Sequence, residues 1–221
     1  MSADKQVKSK QRVTEHGEVF TAEREVKAMC DLVKQETERI ESRFLEPACG
    51  NGNFLAEVLS RKLSVVAKRY AKSPAEYEKY AVLAISSLYG VDILPDNVQE
   101  CQQRLLTLWE NAYQNALHQP ADKQCQAVVQ FILRKNILCG DALTLLQADG
   151  SPIVFAEWSM VTAGGFVKRR DFTLHELLNG HRRQLSLDML NWEFDEEVQA
   201  FIPPPVREYP LVDYRRLCDY E

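Results

Sequence analysis

The residues with chemistry in them gather at three points of the chain, each the end of a short apolar run. The first is Phe44-Leu45-Glu46-Pro47-Ala48-Cys49-Gly50-Asn51-Gly52-Asn53-Phe54-Leu55, where a β-prone stretch meets an acid, a proline and a turn with two glycines. Glycines at such a turn let a ligand approach the backbone, and the helix behind it presents free N–H groups and a positive dipole end. The second is Gly90-Val91-Asp92-Ile93 and the third Gly140-Asp141-Ala142-Leu143, each with a carboxylate where the strand gives out. An acid at the second strand end of a nucleoside-binding half-sheet accepts hydrogen bonds from ribose hydroxyls. The same acids also suit a plain helix cap, so residue type alone leaves both roles open. The dinucleotide pattern G-x-G-x-x-G is incomplete, because Leu55 stands in the third glycine's place, and no G-K-[ST] follows to make a phosphate loop.

Regular elements must hold these points together. Apolar residues from Glu23 to Ile40 fall mostly at helical spacings, and Arg43-Phe44-Leu45 reads as a strand. Phe54, Leu55, Val58, Leu59 and Leu63 mark one helix face, with more helix from Val65 to Ser87, broken near Ser73-Pro74. Strands are expected at Ser87 to Ile93, Lys135 to Cys139 and Pro152 to Phe155, with helices from Pro95 and from Asp122 to Leu133 between them. Strands alternating with helices describe an α/β fold whose mostly parallel sheet is flanked by helices and binds ligands at the strands' carboxyl ends. The expected organisation is a flexible basic arm over 1–12, one domain over 13–180 and an extended C-terminal arm over 181–221. That arm carries Pro203-Pro204-Pro205 and the aromatic anchors Trp192, Phe194 and Phe201. It is expected to lie on the domain or on a partner, covering a sheet edge.

Composition narrows the function classes. Over 221 residues the net charge is −5, which excludes a histone-like polycation and leaves nucleic-acid contact to local patches. A hydrophobic share of 45% with 27% charged residues is that of a globular chain. No apolar run reaches the ~18 residues of a membrane-spanning helix. The polar N-terminal segment shows no apolar signal core, so a cytoplasmic protein without membrane contact is expected. The six cysteines form no C-x-x-C pair and no histidine stands at zinc-like spacing, so no metal is expected and the thiols read as reduced core residues.

The segment from Phe44 to Leu55 resembles motif I of the N6-adenine DNA methyltransferases, the D/E-P-A-C-G-x-G-x-F-L form of restriction-modification M subunits. Upstream, His16-Gly17-Glu18-Val19-Phe20-Thr21 is similar to motif X of the same enzymes, H-G-x-[FV]-[FY]-T-P, with Ala22 in the proline's place. Motif X before motif I, one helix apart, is the γ-type order. The resemblance covers roughly residues 12 to 145 and implies a Rossmann-like fold with the cofactor S-adenosyl-L-methionine (AdoMet). It assigns Glu46, Pro47, Ala48, Cys49, Gly50 and Gly52 to the methionine end, with Phe20 and Thr21 closing over it and His16 beside them. It gives Asp92, next to Ile93, to the ribose, and Asp141, next to Ala142, to the adenine amine. Asp92 follows Gly52 at more than the about 20 residues of a minimal unit, so the helix-rich stretch from Arg61 to Ser86 reads as an insertion.

These enzymes carry the tetrad [DN]-P-P-[YF] after the fourth strand, where acceptors hold the adenine amine and an aromatic ring stacks on a flipped base. Here Ala156-Glu157-Trp158-Ser159 stands in that place. Either Glu157 accepts from the amine and Trp158 stacks on the base, or the catalytic loop is lost and the domain binds cofactor without turnover. The stretch after Ser159 is too short for both the remaining strands and a target-recognition domain, so the fold reads as truncated. The expected function is AdoMet-dependent adenine-N6 DNA methylation. The alternatives are a non-catalytic AdoMet-binding or assembly subunit that needs a partner subunit, and an RNA or protein methyltransferase. DNA contact is assigned to Lys168, Arg169 and Arg170, with Arg182 and Arg183 nearby and Lys5, Lys8, Lys10 and Arg12 as a second candidate.

Overall fold

The runs that end in glycine or acid fold as parallel strands laid side by side. The computed structural model describes residues 7–161, 164–180, 193–195 and 200–221. In it β1 (Phe44–Glu46), β2 (Leu88–Asp92) and β3 (Ile137–Cys139) form a parallel sheet in the order β1-β2-β3. The register sets Glu46 opposite Gly90 and Asp92 opposite Cys139, so the three carboxyl ends finish together.

The helices are α1 (Lys10–His16), α2 (Glu23–Leu32), α3 (Lys34–Thr37), α4 (Asn53–Tyr70), α5 (Pro74–Ser86), α6 (Pro95–Leu117) and α7 (Lys123–Asn136). The predicted break at Ser73-Pro74 separates α4 from α5, with the proline in the first turn, where its missing N–H costs nothing. The face written by Leu55, Val58, Leu59 and Leu63 is buried, together with Ile85, Cys101, Leu105, Trp109 and Ile132 from the other helices. Alternate residues of β2 face opposite ways: Leu88 joins this helical core, while Tyr89 and Val91 pack on Ile153, Phe155 and Leu174.

At the amino ends of the strands sits Lys62, with no exposed surface. Its ammonium donates to the Ile40 carbonyl at 3.0 Å, to the Ser87 hydroxyl at 2.6 Å and to the Ser42 carbonyl, and it lies 5.2 Å from the Phe44 ring centroid. All three of its donors are thereby used.

The fourth strand corrects the expectation of a single, mostly parallel sheet. β4 (Val154–Met160) pairs antiparallel with β5 (Phe166–Thr173) in a second sheet. A parallel partner needs a crossover of a dozen or more residues, usually helical, but the chain between β3 and β4 is turns and isolated bridges. After β5 come α8 (Leu174–Gly180) and the antiparallel pair β6 (Glu193–Asp195) and β7 (Ala200–Ile202). β8 (Arg207–Glu208) and β9 (Val212–Asp213) then add to β5, and a 3-10 helix, Tyr214–Asp219, ends the regular structure. The last element is tied to the helical core by Glu78, 2% exposed, which accepts from the hydroxyls of Tyr113 at 2.9 Å and Tyr214 at 2.7 Å and from Arg215 Nε at 2.8 Å. No described helix is long and apolar enough to cross a membrane.

Candidate functional site

Where the three strands end, a cleft of about 570 Å³ opens. Its walls come from five separate stretches: Gly17 to Thr21, Val26 and Met29 of α2, Glu46 to Phe54 without Gly52, Asp92 to Leu94 with Asn97, and Gly140 to Leu143. Of the residues assigned to the cofactor, Phe20, Thr21, Glu46, Pro47, Ala48, Cys49, Gly50, Asp92, Ile93, Asp141 and Ala142 line it. Gly52 does not; it starts α4 from behind, and a Cβ on it would stand 2.7 Å from Cys101 Sγ. The side chain of His16 lies outside the described residues.

The turn is shaped by left-handed backbone at Gly50 (φ 52°) and Gly52 (φ 86°), a region that L side chains rarely adopt. It is tied to β2 twice, by Cys49 N donating to the Val91 carbonyl at 2.9 Å and by Gly50 N donating to Asp92 Oδ2 at 2.9 Å. Asp92 Oδ1 accepts from Leu94 N at 2.9 Å, so this acid also shapes the turn that precedes α6, without capping the helix itself. Asp141 closes a similar turn with Leu143 N at 2.8 Å, where no helix follows. Both acids therefore have a local structural task as well as a place in the cleft wall. The Cys49 thiol is pushed up by its hydrogen bond with Cys101 and by burial, so it is no thiolate nucleophile.

The cleft is rich in acceptors. Glu18, Glu46, Asp92 and Asp141 all line it, and none of the described lining residues is a lysine or arginine. Burial lifts the Glu46 carboxyl above the ordinary glutamate range, against a hydrogen bond from the Ala48 backbone. Asn51 Oδ1 is buried without a partner among the described residues. A fitting ligand therefore brings several N–H or O–H donors and positive charge.

One wall depends on groups that sequence reading missed. Asn97, 1% exposed, donates from Nδ2 to Glu18 Oε1 at 2.8 Å and to Asp92 Oδ1 at 3.1 Å. Arg12 grips Glu18 through Nε and Nη2, both at 2.7 Å, and reaches Asp96 through Nη1 at 2.6 Å. Burial alone would raise the Glu18 carboxyl, but hydrogen bonds from Arg12 and Asn97 hold it below the ordinary range. The signal for Glu18 lay inside the stretch from His16 to Thr21; Asn97 had none beyond its nearness to Asp92.

Several expectations are corrected. Residues 7–12 are not a free basic arm: Lys8 donates to Asp96 at 3.0 Å and Glu100 at 2.6 Å, and Arg12 is held as above. Residues 1–6, with Lys5, lie outside the described residues. Glu157 and Trp158 do not line the cleft. Trp158 is 5% exposed, its indole donates to Asn136 Oδ1 at 2.9 Å, and its ring packs edge-on to Phe131. Glu157 is paired with Arg43 and with Arg170, the latter at 2.9 Å. The basic cluster is neutralised as well. Arg169 is 4% exposed, forks onto Asp171 with two 2.8 Å bonds and lies 4.0 Å from the Tyr209 ring centroid, while Lys168 pairs with Glu208 at 3.3 Å. These cations are paired with carboxylates of the second sheet. Arg182 and Arg183 lie outside the described residues. Among the described residues no cluster of His, Cys, Asp and Glu could hold a metal ion.

Comparison of the chain with protein-family models, curated proteins and solved structures gives no match.

Proposed function

We propose that the chain is an AdoMet-binding domain of the adenine-N6 DNA methyltransferase type. The observation that carries this reading is the meeting, in one cleft, of the motif X stretch, the motif I turn and the two strand-end acids Asp92 and Asp141. The chemistry of the cleft agrees with the cofactor. AdoMet brings an ammonium, a sulfonium, a ribose diol and an adenine amine, and the wall supplies acceptors without a lining cation. Phosphorylated nucleotides would meet the carboxylates Glu46 and Asp92 instead.

Glu46 would face the methionine ammonium, Asp92 the ribose and Asp141 the adenine amine, with Phe20 closing over the turn. When bound, AdoMet supplies an electrophilic methyl group for direct displacement by an amine. The chain's own part is to orient the sulfonium and to shield it with Phe20 and the glycine turn.

A second reading, an AdoMet-binding subunit that needs a partner for transfer, is favoured by one observation: the residues in the tetrad's place, Glu157 and Trp158, are built into the second sheet away from the cleft. Isothermal titration with AdoMet tests the shared claim. Micromolar binding is expected, weakened by Asp92→Ala and Asp141→Ala; unchanged affinity in both variants would refute the assignment. Tritiated methyl transfer to unmethylated DNA, by the chain alone and with a co-expressed neighbour, separates the two readings.

A further inference from the structure

Asn97 sits between two carboxylates and two cations, and this fixes which way its amide points. Its Oδ1 accepts from Lys8 Nζ at 2.9 Å and Arg12 Nη2 at 3.1 Å, and its Nδ2 gives one hydrogen to Glu18 and the other to Asp92. The reversed amide would set its NH2 against the cations and its oxygen against the carboxylates, so only one orientation satisfies all four partners. Glu18 and Asp92 come from distant stretches of chain, yet this single amide holds their oxygens at one spacing.

A carboxylate offers about four acceptor positions. Among the described residues Asp92 has filled three, with Gly50 N, Leu94 N and Asn97 Nδ2. Glu18 has also filled three, two with Arg12 and one with Asn97. Each keeps one acceptor position, and both residues line the cleft. Asp92 alone thus has too little capacity for two hydroxyls. The pair has enough for one each.

We propose that Glu18 and Asp92, spaced by Asn97, form a two-carboxylate clamp that reads the vicinal hydroxyls of the ligand's ribose, one on each acid. This rests on the reading of the cleft as an AdoMet site and adds Glu18 as a specificity residue and Asn97 as a positioning residue. Because Glu18 belongs to the N-terminal wall and Asp92 to β2, the ribose draws that wall onto the sheet. Arg12, shared between Glu18 and Asp96, offsets the charge of the extra acid. A deoxyribose would leave one clamp acceptor desolvated and unpaired.

The test is titration calorimetry with S-adenosylhomocysteine and its 2′-deoxy and 3′-deoxy forms. In the wild-type protein each missing hydroxyl is expected to weaken binding about tenfold, the size of one lost hydrogen bond to a charged group. In Glu18→Ala one of the two penalties falls below about twofold and the other persists, and in Asn97→Leu both shrink. A merely structural Glu18 would weaken all three ligands equally, so both penalties at wild-type size in Glu18→Ala would overturn the clamp. Should Glu18→Ala not fold, Glu18→Gln must lower one penalty at least about threefold, since a neutral amide oxygen is the weaker acceptor; an unchanged ratio overturns the proposal equally. A folded wild-type protein that binds none of the three ligands would overturn the reading of the cleft itself, a result distinct from unchanged penalties.

Discussion

The ring of Phe20 fills the space that a side chain on Gly50 would need: a Cβ built on Gly50 would stand 3.1 Å from Phe20 Cε1. The stretch around Phe20 and the glycine turn are therefore fitted face to face at the cleft. Gly50→Ala is expected to cost ~1–2 kcal/mol of stability for its left-handed backbone and to push Phe20 away. AdoMet affinity should fall about tenfold, more than the loss in Phe20→Leu, where the turn is untouched. Calorimetry on both variants, with urea melts for stability, checks the order.

Lys62 makes stability depend on pH in a defined window. Burial pushes its ammonium down to about 7 from an ordinary 10.5, against the pull of Glu41 and Glu36. Between those values the unfolded chain holds a proton that the folded chain lacks, so stability rises with pH, by at most ~1.4 kcal/mol per unit. Below about 7 the folded group is charged too and the slope ends. Urea midpoints from pH 6 to 10 should show this rise in the wild-type protein and lose it in Lys62→Met.

Glu46 predicts a pH effect on binding instead of on stability. Its carboxyl is raised by burial, and a cationic ligand needs it ionised. AdoMet affinity should therefore weaken as the pH is lowered through the raised Glu46 range. Glu46→Gln should bind more weakly at pH 7 and show a flatter profile than the wild-type protein. Parallel profiles for the two would separate Glu46 from the ligand's charge.

Trp158→Phe removes the donor that satisfies Asn136 Oδ1, on a side chain with no exposed surface. The expected cost is ~1–3 kcal/mol of stability for the orphaned acceptor, with AdoMet affinity unchanged within about twofold. Loss of AdoMet binding in a folded variant would return Trp158 to the cofactor site.

The cleft was legible in the sequence to the extent that its parts are contiguous. Glu46 through Gly52 carry strand end, proline and glycine turn in one run, and Asp92 and Asp141 each close a short apolar strand, so local chemistry announced them. Asn97 and Glu18 meet across 79 positions, and nothing local marks an amide that bridges two acids. The second sheet was misread for a related reason. Lys168, Arg169 and Arg170 resemble a solvated basic patch until Glu157, Asp171 and Glu208 arrive from neighbouring strand positions to pair with them. Likewise the run at Val154 says that a strand forms, but not that its partner is the antiparallel Phe166–Thr173.

Lys62 and the cleft occupy opposite ends of the same three strands. One end is tied by the buried Lys62 nitrogen, which reaches the Ile40 carbonyl and the Ser87 hydroxyl; the other opens onto acids and a turn. Fluctuations of the sheet will thus begin at the cleft, and deuterium should replace amide protons around Ala48 to Gly52 well before those of Phe44 and Leu88. A ligand that freezes the fast end would extend protection along the strands without altering their pairing.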